Sequence, residues 1–110
     1  MATFFMGQDD QGRFRFILQK GDNILLESEA YQSKDAAKNG VESVRKNSTD
    51  DARYVINADT AGHGGFYLSL KAGNGQVIGH SRGHKSKVSA NANARLLKNE
   101  AADADVVDYM

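Results

Sequence analysis

The densest run of reactive side chains is Gly79-His80-Ser81-Arg82-Gly83-His84-Lys85-Ser86, which crowds imidazoles, hydroxyls and cations into one short tract. A phosphate-cradling loop needs glycine directly before a Lys-Ser pair so that the backbone can wrap the anion. His84 stands in that place, and the nucleotide-loop reading is rejected. A metal centre needs three or four ligands converging on one point. His80 and His84 are four apart without a third ligand at suitable spacing, and His63 lies in a turn, so no metal and no cofactor are expected. The remaining chemistry is anion binding. Arg82, Lys85 and Lys87 fall at the start of an expected helix, where unpaired N–H groups and the helix dipole attract negative charge. Together with His84, and supported by Lys71 and Arg95, they form the candidate surface for nucleic acid or another polyanion.

This basic character is local. From Thr60 to Asn99 there is no acidic residue, whereas the matching region of the first half carries Glu27, Glu29, Asp35 and Glu42. The charge is balanced just afterwards by Glu100, Asp103, Asp105 and Asp108, so a solvated basic face is the simpler reading. Hydrolytic chemistry would need a nucleophile beside a base held by a carboxylate. The serines read as caps or turn residues, and the pairs Asp9-Asp10 and Asp50-Asp51 read as solvated turns, so no catalytic residue is assigned.

Composition removes further classes. With 110 residues the chain suits one domain, and 40% hydrophobic with 25% charged residues supports a packed core. It has no cysteine, which excludes disulfides, thiolate metal sites and a thiol nucleophile. Formal net charge is zero, so no global field draws it to nucleic acid or membrane. The opening Met1-Ala2-Thr3-Phe4-Phe5-Met6-Gly7 lacks a basic region and is too short for a signal peptide or membrane span, which points to the cytoplasm.

The elements that would position these groups come as a duplication with a period of about 52 residues. Arg13-Phe14-Arg15-Phe16-Ile17-Leu18 matches Gly65-Phe66-Tyr67-Leu68-Ser69-Leu70, and Ser33-Lys34 matches Ser86-Lys87. In each copy the apolar period switches from two to about 3.6, giving three strands and then a helix. The strands are expected at Thr3 to Gly7, around Phe14 to Leu18 and at Ile24 to Glu27, and again at Arg53 to Ala58, around Phe66 to Leu70 and at Gln76 to His80. Glycine-containing turns at Asp9 to Gly12 and at Ala61 to Gly64 join the first strands of each copy. Ser33 and Ser86 read as N-caps. Ala37, Val41 and Val44 stripe the first helix, and Val88, Ala92 and Leu96, with Leu97 beside them, stripe the second. Leucine in the second copy offers no stacking plane, so Phe14 and Phe16 are read as core rather than as an RNA-stacking surface.

The Arg-Phe-Arg-Phe strand, the Asn-Gly-Gln-Val-Ile hairpin, Tyr31-Gln32-Ser33-Lys34, Asn39-Gly40-Val41-Glu42-Ser43-Val44 and the closing Ala104-Asp105-Val106-Val107-Asp108 resemble the YegP-like family of small bacterial proteins. That resemblance implies an α+β domain containing one or two copies of the unit and supplies no catalytic residue. The expected architecture is therefore a tandem duplication of a strand-strand-strand-helix unit, repeat one at 3–53 and repeat two at 54–109. An approximate two-fold should relate the repeats, with helices packed on an antiparallel sheet. Phe14, Phe16, Leu18, Phe66, Leu68, Leu70, Val41, Val44 and Leu96 should lie in or near one core. The expected protein is a non-catalytic, monomeric binding module whose partner is a protein or a polyanion, with an enzyme of unknown reaction as the remaining alternative, no membrane association and an edge strand open to homodimer formation.

Overall fold

The structure, a computed structural model, describes residues 2–58 and 65–109. Its elements are β1 (Thr3–Gln8), β2 (Phe14–Lys20), β3 (Asn23–Ser28), α1 (Lys34–Asn47), β4 (Tyr54–Ala58), β5 (Phe66–Lys71), β6 (Val77–His80), α2 (Lys87–Glu100) and β7 (Asp105–Asp108). The strands form one sheet in the order β4-β5-β6-β3-β2-β1-β7. Among the described residues this is an α+β fold with seven strands and two α-helices.

Turn chemistry sets the first hairpin. Asp9 Oδ1 accepts from the backbone N–H groups of Gln11 and Arg13, both at 2.9 Å, and Gly12 takes a φ of +78° that a side chain would resist. The turn expected at Ala61 to Gly64, with His63 in it, lies outside the described residues. The hairpins β2–β3 and β5–β6 each shift register, between Leu18 and Gln19 and between Leu70 and Lys71. Both serines cap as expected: Ser33 Oγ accepts from Ala36 N at 3.0 Å and Ser86 Oγ from Ser89 N at 3.1 Å. Each cap contributes about 1 kcal/mol relative to alanine.

Strand alternation sends Phe4, Met6, Phe16, Leu18, Leu68 and Leu70 into a single core, where they meet Ala37, Val41 and Val44 of α1 and Leu97 of α2. The expected stripe of α2 is corrected. Val88 is 75% exposed and Leu96 36%, while Ala90, Asn93, Ala94 and Leu97 are buried. The helix faces the sheet through a phase that includes an asparagine, whose Nδ2 donates to the buried Leu25 carbonyl at 2.9 Å. Counting apolar residues alone missed it. Phe14 packs against the core from its margin, whereas Phe66 is half-buried with the Lys87 ammonium 5.7 Å from its ring centre.

Two further departures concern the sheet. The closing segment Asp105–Asp108 forms a seventh strand parallel to β1, with Thr3 opposite Asp105 and Phe5 opposite Val107, so the sheet is mixed rather than antiparallel throughout. Lys34 fastens it through an ion pair to Asp108 at 2.8 Å, and Arg45 of α1 donates to the Ala104 carbonyl. At the centre, β3 and β6 pair antiparallel through Glu27 opposite His80 and Ser28 opposite Gly79. A Cβ on Gly79 would lie 2.6 Å from the Glu27 carbonyl oxygen, so glycine is required for the two strands to approach.

Gly79→Ala is therefore expected to cost about 1–3 kcal/mol through forced displacement of backbone. That would lower Tm by several degrees, whereas Gly7→Ala, with open space at its Cβ, should leave Tm unchanged or slightly raised. Equal melting of both variants would contradict the close approach. A second expectation concerns acid. Lys20 donates to Glu100 at 3.2 Å and holds that carboxyl below its ordinary value of 4.5. A depressed carboxyl contributes stability above its unfolded pKa and loses it as pH falls through the folded one. The urea midpoint of the wild type should thus exceed that of Lys20→Met at neutral pH and converge with it in acid; a constant gap would refute the linkage.

Candidate binding surface

The basic tract divides on the structure. Lys85 and Lys87 flank the cap residue Ser86 and are exposed, and half-buried His84 precedes them. His84 is fixed by a two-way backbone bridge to Phe66, at 2.7 and 2.8 Å, and by Nδ1 lying 2.7 Å from Ser89 Oγ. Gly65 makes the bridge possible, since a Cβ there would lie 2.5 Å from the His84 carbonyl oxygen. The other predicted cations are paired or more distant. Arg82 directs Nε to Glu27 Oε1 at 2.9 Å. Lys71 ends β5 while Phe66 begins it, a separation of roughly 16 Å at strand rise. Arg95 lies on α2 about 12 Å further along the axis than Lys87. Three of the six predicted residues, His84, Lys85 and Lys87, gather at the helix entrance; Arg82 lines a cleft with His84 but is paired with Glu27, and Lys71 and Arg95 lie apart.

The sheet has a second constellation. Opposite the helices, cross-strand register aligns Val107, Phe5, Ile17, Glu27, His80, Ser69 and Val55 in one row spanning β7 to β4. One end of the row is apolar: the Phe5 ring stacks with Tyr109 at 6.0 Å, and with Ile17 they edge a shallow apolar hollow of about 290 Å³. The middle is polar. Ser69 Oγ lies 3.0 Å from His80 Nδ1, His80 Nε2 lies 3.1 Å from Glu29 Oε1, and Asn57 Nδ2 donates to Ser69 Oγ at 2.9 Å. Tyr67 meets the His80 ring edge-on at 5.6 Å.

Serine, histidine and carboxylate are thus linked in the order used for nucleophile activation. Other features oppose that use. Ser69 is 3% exposed, and its backbone belongs to ladders with β4 and β6, so neighbouring N–H groups are not free to receive an oxyanion. The Glu29 carboxylate can only accept, so the neutral imidazole carries its proton on Nε2, which makes Nδ1 the acceptor for the Ser69 hydroxyl. Sequence reading missed this chain because it assigned the serines to caps and turns, whereas Ser69 lies in mid-strand. The available signal was parity, since Ser69 between Leu68 and Leu70 must face away from the core. Among the described residues no group of His, Cys, Asp and Glu is arranged to hold a metal ion, and no helix is long and apolar enough to cross a membrane.

Long-range proton–nitrogen NMR should find neutral His80 as the Nε2–H tautomer, and an active-site-directed fluorophosphonate should leave Ser69 unlabelled. Labelling of Ser69 would overturn the structural assignment of this chain.

Comparison with known proteins places these features in context. The model for a domain of unknown function, DUF1508, matches twice, over residues 8–54 and 61–108, so the sequence contains an internal repeat. A UPF0339 protein encoded 5′ of the ptx operon in Stutzerimonas stutzeri is 44% identical over 108 residues, covering 97% of this chain and 96% of the relative. UPF0339 protein YegP of Escherichia coli K12 is 36% identical over 110 residues, covering 98% of each. Solution NMR structures of UPF0339 protein SO3888 from Shewanella oneidensis and of YegP from E. coli superpose with TM-scores of 0.88 and 0.86, at 29% and 35% identity. They cover 97% and 98% of this chain and 90% and 92% of their own. The E. coli protein is described as one of unknown function, and no catalytic or binding role comes with these relatives. Matched twice by the family model and related along its whole described length, the chain belongs to the bacterial UPF0339 family of DUF1508 proteins.

Proposed function

We propose that this protein is a non-catalytic binding module that receives a protein partner on the helix-free face of its sheet. The observation carrying the reading is that both arginines on this face, Arg15 and Arg82, are paired with carboxylates. Arg82 pairs with Glu27 at 2.9 Å and Arg15 with Asp9 at 3.2 Å, while Glu29 lies 3.1 Å from the His80 imidazole as a hydrogen-bond acceptor. A surface balanced in this way, with Phe5, Ile17 and Tyr109 at one end, projects little field and offers apolar area. It suits a partner with an apolar patch bordered by polar groups better than it suits a polyanion. The burial of Ser69 supports the non-catalytic part.

The same reading takes the fold as two strand-strand-strand-helix units related by an approximate two-fold axis at the β3–β6 seam. Support comes from paired details: the register shifts at Leu18/Gln19 and Leu70/Lys71, the bridges Phe14–Tyr31 and Phe66–His84, and the buried serines Ser28 and Ser81. These serines accept from Phe16 N at 2.9 Å and Leu68 N at 2.8 Å. The unit is proposed to work as a cytoplasmic monomer, with the β4 edge as the place where a second copy could add.

The second reading, polyanion binding, is favoured by Lys85, which is exposed and has no ion pair among the described residues. Salt separates the two. Association with the partner should survive about 0.5 M salt, where exposed charges more than a few Å apart are screened. It should weaken at least tenfold in Phe5→Ser and persist in Lys85→Glu/Lys87→Glu. Association lost at high salt and in the charge-reversed variant, with nucleic acid recovered, would establish the polyanion reading instead.

A further inference from the structure

We infer that the cleft between α2 and the β2–β3 turn is a binding site for a zwitterionic α-amino acid with an apolar side chain. The cleft has a volume of about 480 Å³, within the usual range for small-molecule sites. It opens beside α2 rather than on the sheet face proposed for a protein partner, with Arg82 joining the two through its pair with Glu27.

Its lining is built from one face of a helix and one connection. Ser89, Asn93 and Leu96 fall at i, i+4 and i+7 of α2 and so share a side, joined by Arg82 and His84 from the β6–α2 connection and by Asp22 from the turn. Asn93 is the anchor. It is only 6% exposed, and its Nδ2 is committed to the Leu25 carbonyl, while its Oδ1 has no partner among the described residues. His84 is held by Nδ1 to Ser89, which leaves Nε2 unpartnered. Arg82 uses Nε for Glu27, leaving its two Nη groups free, and Asp22 has no ion pair among the described residues. Leu96, 36% exposed on a helix that buries its other apolar face, supplies a greasy wall with Ile24.

These groups sort by chemistry. Guanidinium and imidazole N–H groups take a carboxylate, the Asn93 oxygen and the Asp22 carboxylate take an ammonium, and Leu96 takes an aliphatic or aromatic side chain. The first half of the chain provides an internal contrast. There Tyr31 holds the bridge position that His84 holds in the second half. Its ring stacks on Phe16 at 6.1 Å and occupies the space that any side chain at Gly40 would need. The corresponding cleft beside Tyr31 and Gly40 is about 240 Å³. Histidine in place of tyrosine, and asparagine in place of glycine, accompany a cleft of twice the volume with an unpaired acceptor in its wall.

The test is a titration of the nitrogen-15-labelled protein with L-phenylalanine, followed by NMR. Saturable shifts confined to residues 22–25, 82–84 and 89–96 are expected, with a Kd at or below about 1 mM. Phenylalaninamide and 3-phenylpropionate, each lacking one charge, should bind at least tenfold more weakly. Arg82→Gln and Asp22→Asn, both at exposed positions that should not disturb folding, should each weaken L-phenylalanine by a similar factor. The inference fails if no saturable shift arises up to about 10 mM of L-phenylalanine, L-leucine or L-valine. It fails equally if the uncharged-end analogues bind as well or if both variants bind normally. Chemical conversion of the bound amino acid, visible in its own proton spectrum, would instead overturn the non-catalytic reading and leave the cleft assigned.

Discussion

The approach of β3 to β6 is the constraint on which the molecule depends. Two residue pairs, Glu27 with His80 and Ser28 with Gly79, join the three strands β4-β5-β6 to the four strands β3-β2-β1-β7 in one sheet. The missing side chain of Gly79 allows it, because any Cβ would press on the Glu27 carbonyl and on Leu26. On the core side this closeness lets Leu26 pack without exposure, beside Leu18. On the opposite side it sets His80 next to Glu27 in the cross-strand row and brings Glu29 within reach of the imidazole. A single backbone contact therefore shapes both the interior and the polar centre of the open face.

Energetically these two sides differ. Burial of the leucines and phenylalanines supplies the dominant stabilisation, at about 25 cal/mol per Å² of apolar area. The exposed ion pairs on the other face contribute little individually, about 0–1 kcal/mol. Their consequence is electrostatic silence rather than strength. The buried serines have a third role: where β2 and β5 run past the ends of their partners, Ser28 and Ser81 hydroxyls accept from Phe16 and Leu68 N–H groups that would otherwise be orphaned inside the core.

How much of this was legible follows from the kind of information each feature carries. Local signals were readable: alternation located six strands, the cap serines located both helix starts, and repetition in the sequence foretold a doubly matched family model. Features decided by tertiary partners were not. The phase of α2 was misread because Asn93 is buried against a backbone carbonyl, so the buried face of the helix is not its most apolar one. The seventh strand escaped because Val106 and Val107, flanked by Asp105 and Asp108, have no periodicity of their own; only β1 makes them a strand. The basic residues formed one set along the chain and several in space, since Arg82 is turned toward Glu27 from the other half. The Ser69–His80–Glu29 chain required the strand order, which no local pattern encodes.

The pairing of β7 with β1 also governs the order in which the molecule can be completed. Thr3 meets Asp105 across almost the full length of the polypeptide, which makes this the contact with the greatest loop-closure cost in the sheet. During synthesis from the N-terminus, β1 must wait with one margin unpaired, and the Phe5 ring without its Tyr109 neighbour, until nearly every other element has been made. A nascent chain arrested before that point would present a bare, aromatic strand margin, a template for association with other chains.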